Sequence, residues 1–107
     1  MQEMSLLHNH ICTAVGDPKR MLILYALNEE PRHVSALAEY LGLPQPTVSR
    51  HLRVLRQRSL VVPEREGSAV FYRLADQQII TILDAMRRQL RDSLTRQTSM
   101  LDEGIEA

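Results

Sequence analysis

The chain has one cysteine, Cys12, in 107 residues. A lone thiol cannot close an internal disulfide, so the fold must hold without covalent staples, and a reducing cytoplasm is the expected compartment. No apolar run approaches the roughly 20 residues that span a bilayer, and no basic stretch leads into an apolar core near the N-terminus. Neither a membrane anchor nor an export signal is expected. Lysine is almost missing: Lys19 stands alone, so twelve of the 13 cations are arginine, whose planar fork suits phosphate and guanine. There is no Gly-rich phosphate loop, no paired acid and base in a pocket-forming segment, and no supported Ser-His-Asp arrangement. Ser49 and His51 are two apart, which places them on different flanks of a helix. An enzyme is not expected, and no cofactor is called for. Internal repeats, linkers and low-complexity segments are also missing, so residues 1–107 read as one small domain.

What is present is a charge distribution. Thirteen Lys and Arg balance 13 Asp and Glu, for a net charge of zero, which by itself argues against a generic polyanion binder. The balance is not even along the chain. Four Arg and no acid lie between Tyr40 and Pro63, and six Arg against Glu64 and Glu66 lie between Gln45 and Arg73. One face can be basic while the whole molecule is neutral.

Hydrophobic spacing predicts mainly helix. Met4, Leu7, Ile11 and Ala14 mark a first helix over 3–15, which Gly16-Asp17-Pro18 breaks. Asp17 is placed to cap the next helix, with Pro18 in its first position. That helix, about 18–28, offers Met21, Leu22, Leu24, Tyr25 and Leu27 to a core, and Glu29-Glu30-Pro31 ends it. Ser35 is the expected N-cap of a third helix burying Leu37, Ala38 and Leu41. Gly42 suits the left-handed residue that closes it. A fourth helix, about 45–58, has Val48, Leu52 and Leu55 on one side and Thr47, Arg50, Arg53 and Gln57 on the other. Two helices joined by a tight turn, the second carrying only Arg as charge, form a helix-turn-helix whose second helix enters a DNA major groove. Leu60–Leu74 then reads as a hairpin about a Glu-Gly-Ser turn, a wing with Arg65 near its tip as the expected phosphate contact. From Asp76, an N-cap, a last helix over 76–98 carries Ile79, Leu83, Met86, Leu90 and Leu94 as a stripe about six turns long. A domain of this size has little to cover such a stripe, so a helix of a second chain is the expected cover.

Gly16-Asp-Pro-Lys-Arg-Met-Leu-Ile-Leu24, the run Leu43-Pro-Gln-Pro-Thr-Val-Ser-Arg-His-Leu-Arg-Val-Leu55, and the hairpin ending Val70-Phe-Tyr-Arg-Leu74 resemble the ArsR/SmtB family of winged helix-turn-helix repressors in order and spacing, over roughly residues 5–95. The resemblance implies a mainly α fold with a small β-hairpin, about five helices and a two-stranded wing. It implies a homodimer built through residues 3–15 and 76–98, and double-stranded DNA as partner. It further implies repression at a near-palindromic operator until an inducer, usually a metal ion, releases it. DNA-reading positions carried over are Gln45, Thr47, Ser49, Arg50 and His51, with Arg53 and Arg65 beside them. Gln45 can pair with adenine, Arg50 with guanine or phosphate, and Ser49 with phosphate. Pro44 stands where the family has a Ser-type cap. The alternative is a winged-helix module that binds protein and leaves its Arg face in water.

The family's metal positions carry over badly. Where a Cys-x-Cys-type motif is found in some members, this chain has Arg32-His33-Val34-Ser35-Ala36-Leu37, without a thiol. Where others bind zinc between paired last helices, it has Asp76, Gln78, Gln89 and Asp92, and glutamine is a poor ligand for zinc or nickel. No metal site is expected there. His8 and Cys12, four apart, share a helix face that His10 does not. Cys12 reads three ways: a buried small hydrophobe, a metal ligand beside His8, or a redox-sensing thiol at a dimer interface, the first place to look for an inducer. His33 reads as a capping or solvent residue.

Overall fold

Local capping rules account for where each helix starts and stops. The computed structural model describes residues 2–7 and 13–106. Its helical segments α1 (Gln2–Leu7) and α2 (Thr13–Val15) fall along the expected first helix, with α1 starting one residue before it. Ile11, Cys12, His8 and His10 fall outside the described residues. Helix α3 (Pro18–Glu29) starts as expected, with the Asp17 carboxylate accepting from the Lys19 amide at 2.8 Å. That bond holds the Asp17 carboxyl below its ordinary pKa. Helix α4 spans Val34–Leu41. Gly42, at φ +66, ends it in the expected left-handed turn. The Gly42 amide bonds the Glu39 carbonyl, and the Leu43 amide bonds the Ala38 carbonyl at 3.0 Å. This paired reverse hydrogen bonding satisfies the last carbonyls of the helix.

Helix α5 (Gln45–Gln57) begins on Pro44, which has no side chain to cap with. Its carbonyl accepts from the amides of Thr47 and Val48 instead, at 3.0 and 3.2 Å. The other end holds a turn the sequence did not announce. Ser59 sits at φ +63, with the Leu60 amide on the Leu55 carbonyl and the Ser59 amide on the Arg56 carbonyl. This is the closure made at Gly42, here without the glycine.

The hairpin is present as β2 (Val61–Glu66) and β3 (Ala69–Leu74), joined by Gly67-Ser68 with Gly67 at φ +64. The sheet extends beyond this two-stranded wing. A short strand, β1 (Arg32–His33), adds to the far side of β3, giving an antiparallel sheet of order β1-β3-β2. Arg32 pairs with Tyr72 and His33 with Phe71, while Pro63 faces Tyr72 from β2. Strand β1 runs directly into α4, whose start lies earlier than expected. Residue His33 occupies the N-cap, and Ser35 lies inside α4, so the expected Ser35 cap does not form. The His33 ring instead stacks on Phe71, with centroids 3.8 Å apart, and its Nδ1 lies 3.1 Å from the Val70 carbonyl. Arg32 ties the joint between α3 and α4. It donates to the Ala26 carbonyl, pairs with Glu29 at 2.9 Å, and lies 4.0 Å from the centre of the Tyr40 ring.

The core of this unit is Ile23, Leu24, Ala26, Leu27, Leu37, Ala38, Val48, Leu52, Leu55, Leu60, Val61 and Leu74. Of the α3 residues expected inside, Leu24 and Leu27 are buried, Met21 and Tyr25 are half-buried, and Leu22 is exposed. Ile23 takes the inward position, because the buried stripe of α3 runs through 23, 24 and 27 rather than 22.

The residues from Gln78 on form a separate unit, helix α6 (Gln78–Glu106). It begins at Gln78, two residues after Asp76, and runs past the expected end at 98. At 29 residues it is about 44 Å long. Within the stripe read from the sequence, Leu83 is buried, Ile79 half-buried, and Met86, Leu90 and Leu94 are 62, 60 and 52% exposed. Ile82 is exposed as well. Among the described residues no helix is long and apolar enough to cross a membrane.

The two left-handed turns should respond in opposite directions. A Cβ built on Gly42 meets nothing within 4 Å, so Gly42→Ala carries only the torsional penalty, about 1 kcal/mol. Ser59→Gly removes the same kind of strain and should stabilise by about 0.5–1 kcal/mol. Urea unfolding followed by circular dichroism measures both.

Candidate nucleic-acid interface

Helix α5 is amphipathic in an unusual sense: its polar side is cationic and carries no acid. Val48, Leu52 and Leu55 are fully buried, and α5 packs against α3, α4 and β2. That seam orients everything else on the helix. Gln45, Arg50 and Arg53 are exposed, and Thr47 and Ser49 are half-buried. Among the described residues neither Arg50, Arg53 nor Arg56 forms an ion pair, whereas Arg32, Arg73 and Arg87 do. An unpaired guanidinium keeps its five donors available to an acceptor brought by a partner.

His51 departs from the expectation. Read as a flank residue that contacts DNA, it is 5% exposed. The helix carries it round to the side of Val48, Leu52 and Leu55. Its Nδ1 is buried and meets no hydrogen-bond partner among the described residues. Burial is the main cause that lowers its pKa. The positive charges of Arg20, Arg50 and Lys19 act in the same direction, and the Asp17 carboxylate opposes them. Burial thus favours the uncharged imidazole at His51.

Arg65 is exposed on β2, as expected of a wing residue, but it does not join the α5 group. It borders a separate open concavity with Glu30, Pro31, Glu64, Glu66 and Phe71. Arg73 pairs with Glu64. Two Arg and two Glu leave the wing electrically neutral, so the positive field comes from α5. Ser49 and Arg53, by contrast, are brought together with two residues the sequence reading passed over. They share a concavity of about 260 Å³ with Arg56, Tyr72 and Val34. The signal for Arg56 was present: 49, 53 and 56 are spaced i, i+4, i+7 on one helix flank. The contribution of Tyr72 depends on sheet register and had no local signal.

The resemblance implies metal positions at Asp76, Gln78, Gln89 and Asp92. All four are exposed, and two of them are amides. Among the described residues no group of three or more His, Cys, Asp or Glu gathers around a common point. Cys12 lies outside the described residues.

Comparison with known proteins agrees with this geometry. Residues 17–61 match the family described as bacterial regulatory protein, arsR family. The HTH-type transcriptional repressor SmtB of Mycobacterium tuberculosis is 40% identical over 82 residues, covering 76% of this chain and 61% of that protein. The chain therefore spans about three fifths of the length of this curated relative. The crystal structure of NolR from Sinorhizobium fredii is 33% identical and superposes with a TM-score of 0.72, covering 81% of this chain and 87% of that one. A homodimeric winged helix-turn-helix DNA-binding domain from Mycobacterium bovis, a possible ArsR-family transcriptional regulator, is 26% identical with a TM-score of 0.76, covering 89% and 90%.

The buried imidazole makes stability depend on pH. A folded-state pKa below the 6.5 of a free imidazole means the unfolded chain binds the extra proton first. Stability should therefore fall as pH drops below 6.5, and keep falling until the folded-state value is passed. Urea midpoints measured down this range should fall less steeply in His51→Gln than in the wild type. Equal slopes would assign the acid sensitivity to other groups.

Proposed function

Since this chain belongs to the arsR family of bacterial regulatory proteins, we propose that it is a homodimeric, sequence-specific DNA-binding transcriptional repressor. The observation that carries the reading is the α5 face: three unpaired Arg beside Gln45 and Thr47, held outward by a buried apolar seam. In this reading α5 lies in the major groove. Gln45 and Arg50 read base edges, Gln45 matching adenine and Arg50 guanine, while Thr47, Ser49 and Arg53 hold the helix in register on the phosphates. His51 is left out because its ring is buried. Arg65 contributes a phosphate contact that Glu64 and Glu66 weaken. The operator is near-palindromic, and an unidentified signal releases the protein. The donor set gives no support to a metal at either family position.

Homodimer formation is supported by the apolar stripe of α6, three of whose residues are more than half exposed in one chain. Covering Met86, Leu90 and Leu94 would remove from water side chains worth about 1.5–3 kcal/mol each when fully buried. Two recognition helices one duplex turn apart, about 34 Å, would read a two-fold site. DNA binding driven by phosphate charge weakens steeply with salt. A protein-binding module with a solvated Arg face would not release counterions from DNA.

Fluorescence anisotropy on the duplex upstream of the coding region tests the contacts. Arg50→Ala should lower affinity by about 1–3 kcal/mol. Arg65→Ala should cost less and depend less on sequence, since a wing Arg meets phosphate. Unchanged binding in both variants removes the helix-turn-helix from the mechanism.

Light scattering tests the assembly. Leu90 is exposed, so a single chain accommodates Leu90→Glu, but a paired apolar seam does not. The variant should be a folded monomer with reduced operator affinity. A wild-type protein that is monomeric at micromolar concentration and well folded would sink the dimer.

A further inference from the structure

The concavity on the far flank of α5 remains unused by base reading, and its chemistry is specific. Three of its residues, Ser49, Arg53 and Arg56, come from α5. Tyr72 comes from the central strand of the sheet, and Val34 is the first residue of α4. No carboxylate lines it. Neither Arg53 nor Arg56 forms an ion pair among the described residues. Two guanidinium groups one helical turn apart repel each other, and nothing lining the concavity offsets that repulsion. The two hydroxyls, on Ser49 and Tyr72, can each donate one hydrogen bond. The volume, about 260 Å³, falls below the roughly 300–1,000 Å³ of sites for drug-sized ligands. A compact anion with several acceptor oxygens matches this set, and arginine takes such a group in a two-point fashion.

We propose that this concavity is a phosphate seat. Arg53 and Arg56 flank the anion, and the Ser49 and Tyr72 hydroxyls donate to its oxygens. The proposal rests on the DNA-binding reading for its main occupant, a backbone phosphate of the duplex. A helix lying in the major groove has a phosphate strand along each wall, so a flank one step round from the base-reading face meets that wall. Tyr72 then has a role that sheet register alone makes possible. It lies opposite Arg32 on one side and Pro63 on the other, so the wing is keyed to α5 through the same phosphate. The wing would thus act by presenting this tyrosine more than through Arg65 at its tip.

The test uses the full chain and the variants Arg56→Gln and Tyr72→Phe. Arg88→Gln, an exposed residue of α6, serves as a control for lost charge. Affinity for the operator duplex and for a scrambled duplex is measured by anisotropy over a salt series. Circular dichroism melts establish that each variant is folded. For Arg56→Gln the slope of log K against log salt should become shallower by about one. The loss should be the same on both duplexes. Tyr72→Phe should weaken both duplexes several-fold with little change in slope, and Arg88→Gln should leave the slope unchanged. A parallel arm titrates inorganic phosphate and follows the guanidinium Nε–H and Ser49 amide signals by NMR. Shifts that disappear in Arg56→Gln support the seat. If the wild type binds duplex with a steep salt slope that Arg56→Gln does not alter, the seat is overturned and the DNA reading stands. If the wild type shows no salt-dependent duplex binding but phosphate shifts those signals, the seat stands for free phosphate and the DNA reading falls. Neither response overturns both.

Discussion

The buried seam of α5 is the constraint on which the rest depends. Val48, Leu52 and Leu55 are spaced so that one side of a straight helix is apolar, and the structure buries all three completely. Losing any one of them to alanine opens a cavity in a small core, where such changes cost roughly 2–5 kcal/mol. The seam does more than stabilise. Because a helix is rigid about its axis, fixing 48, 52 and 55 against α3, α4 and β2 fixes where 45, 49, 50, 53 and 56 point. Recognition geometry and core packing are thus two faces of the same thirteen residues.

Electrostatics follow from that orientation. A chain of zero net charge presents a cationic surface because α5 places its Arg residues outward without acids between them. The wing does not add to the field, since Glu64 and Glu66 offset Arg65 and Arg73. The reach of such a surface is about 8–10 Å at ordinary ionic strength, so it acts on a ligand already close to the helix. It positions a partner more than it steers one from a distance. His51 belongs to the same helix but to its other face. Burial there disfavours a charged ring, and Arg20, Arg50 and Lys19 add to that while Asp17 opposes it.

Helix α6 presents a different problem of physical chemistry. Its apolar stripe is more than half exposed at three successive turns, a pattern that single soluble chains rarely keep. Specific sites are few residues on a common scaffold, so the arsR fold does not by itself fix which signal acts on it.

Features decided within a few residues were legible from the amino-acid order. Asp17 and Pro18 start α3, Gly42 closes α4, and Gly67 leads the hairpin turn, because each is a local rule of torsion or hydrogen bonding. The two-sided character of α5, the α6 stripe and the resemblance to the ArsR/SmtB family were legible for the same reason: periodicity is a local property. What only the tertiary structure decided required residues distant in the chain. Strand β1 is two residues long and exists through β3, about forty positions later. It displaced the cap expected at Ser35. The αL turn at Ser59 carries no glycine to announce it. Ile23 rather than Leu22 faces the core, and His51 is buried rather than free, because packing selects among neighbouring positions that periodicity alone leaves within one turn of each other. Tyr72 comes to line one concavity with Arg53 and Arg56 only through sheet register. Sequence determined which helices form and which sides are apolar or cationic; non-local packing determined which of those side chains share a site.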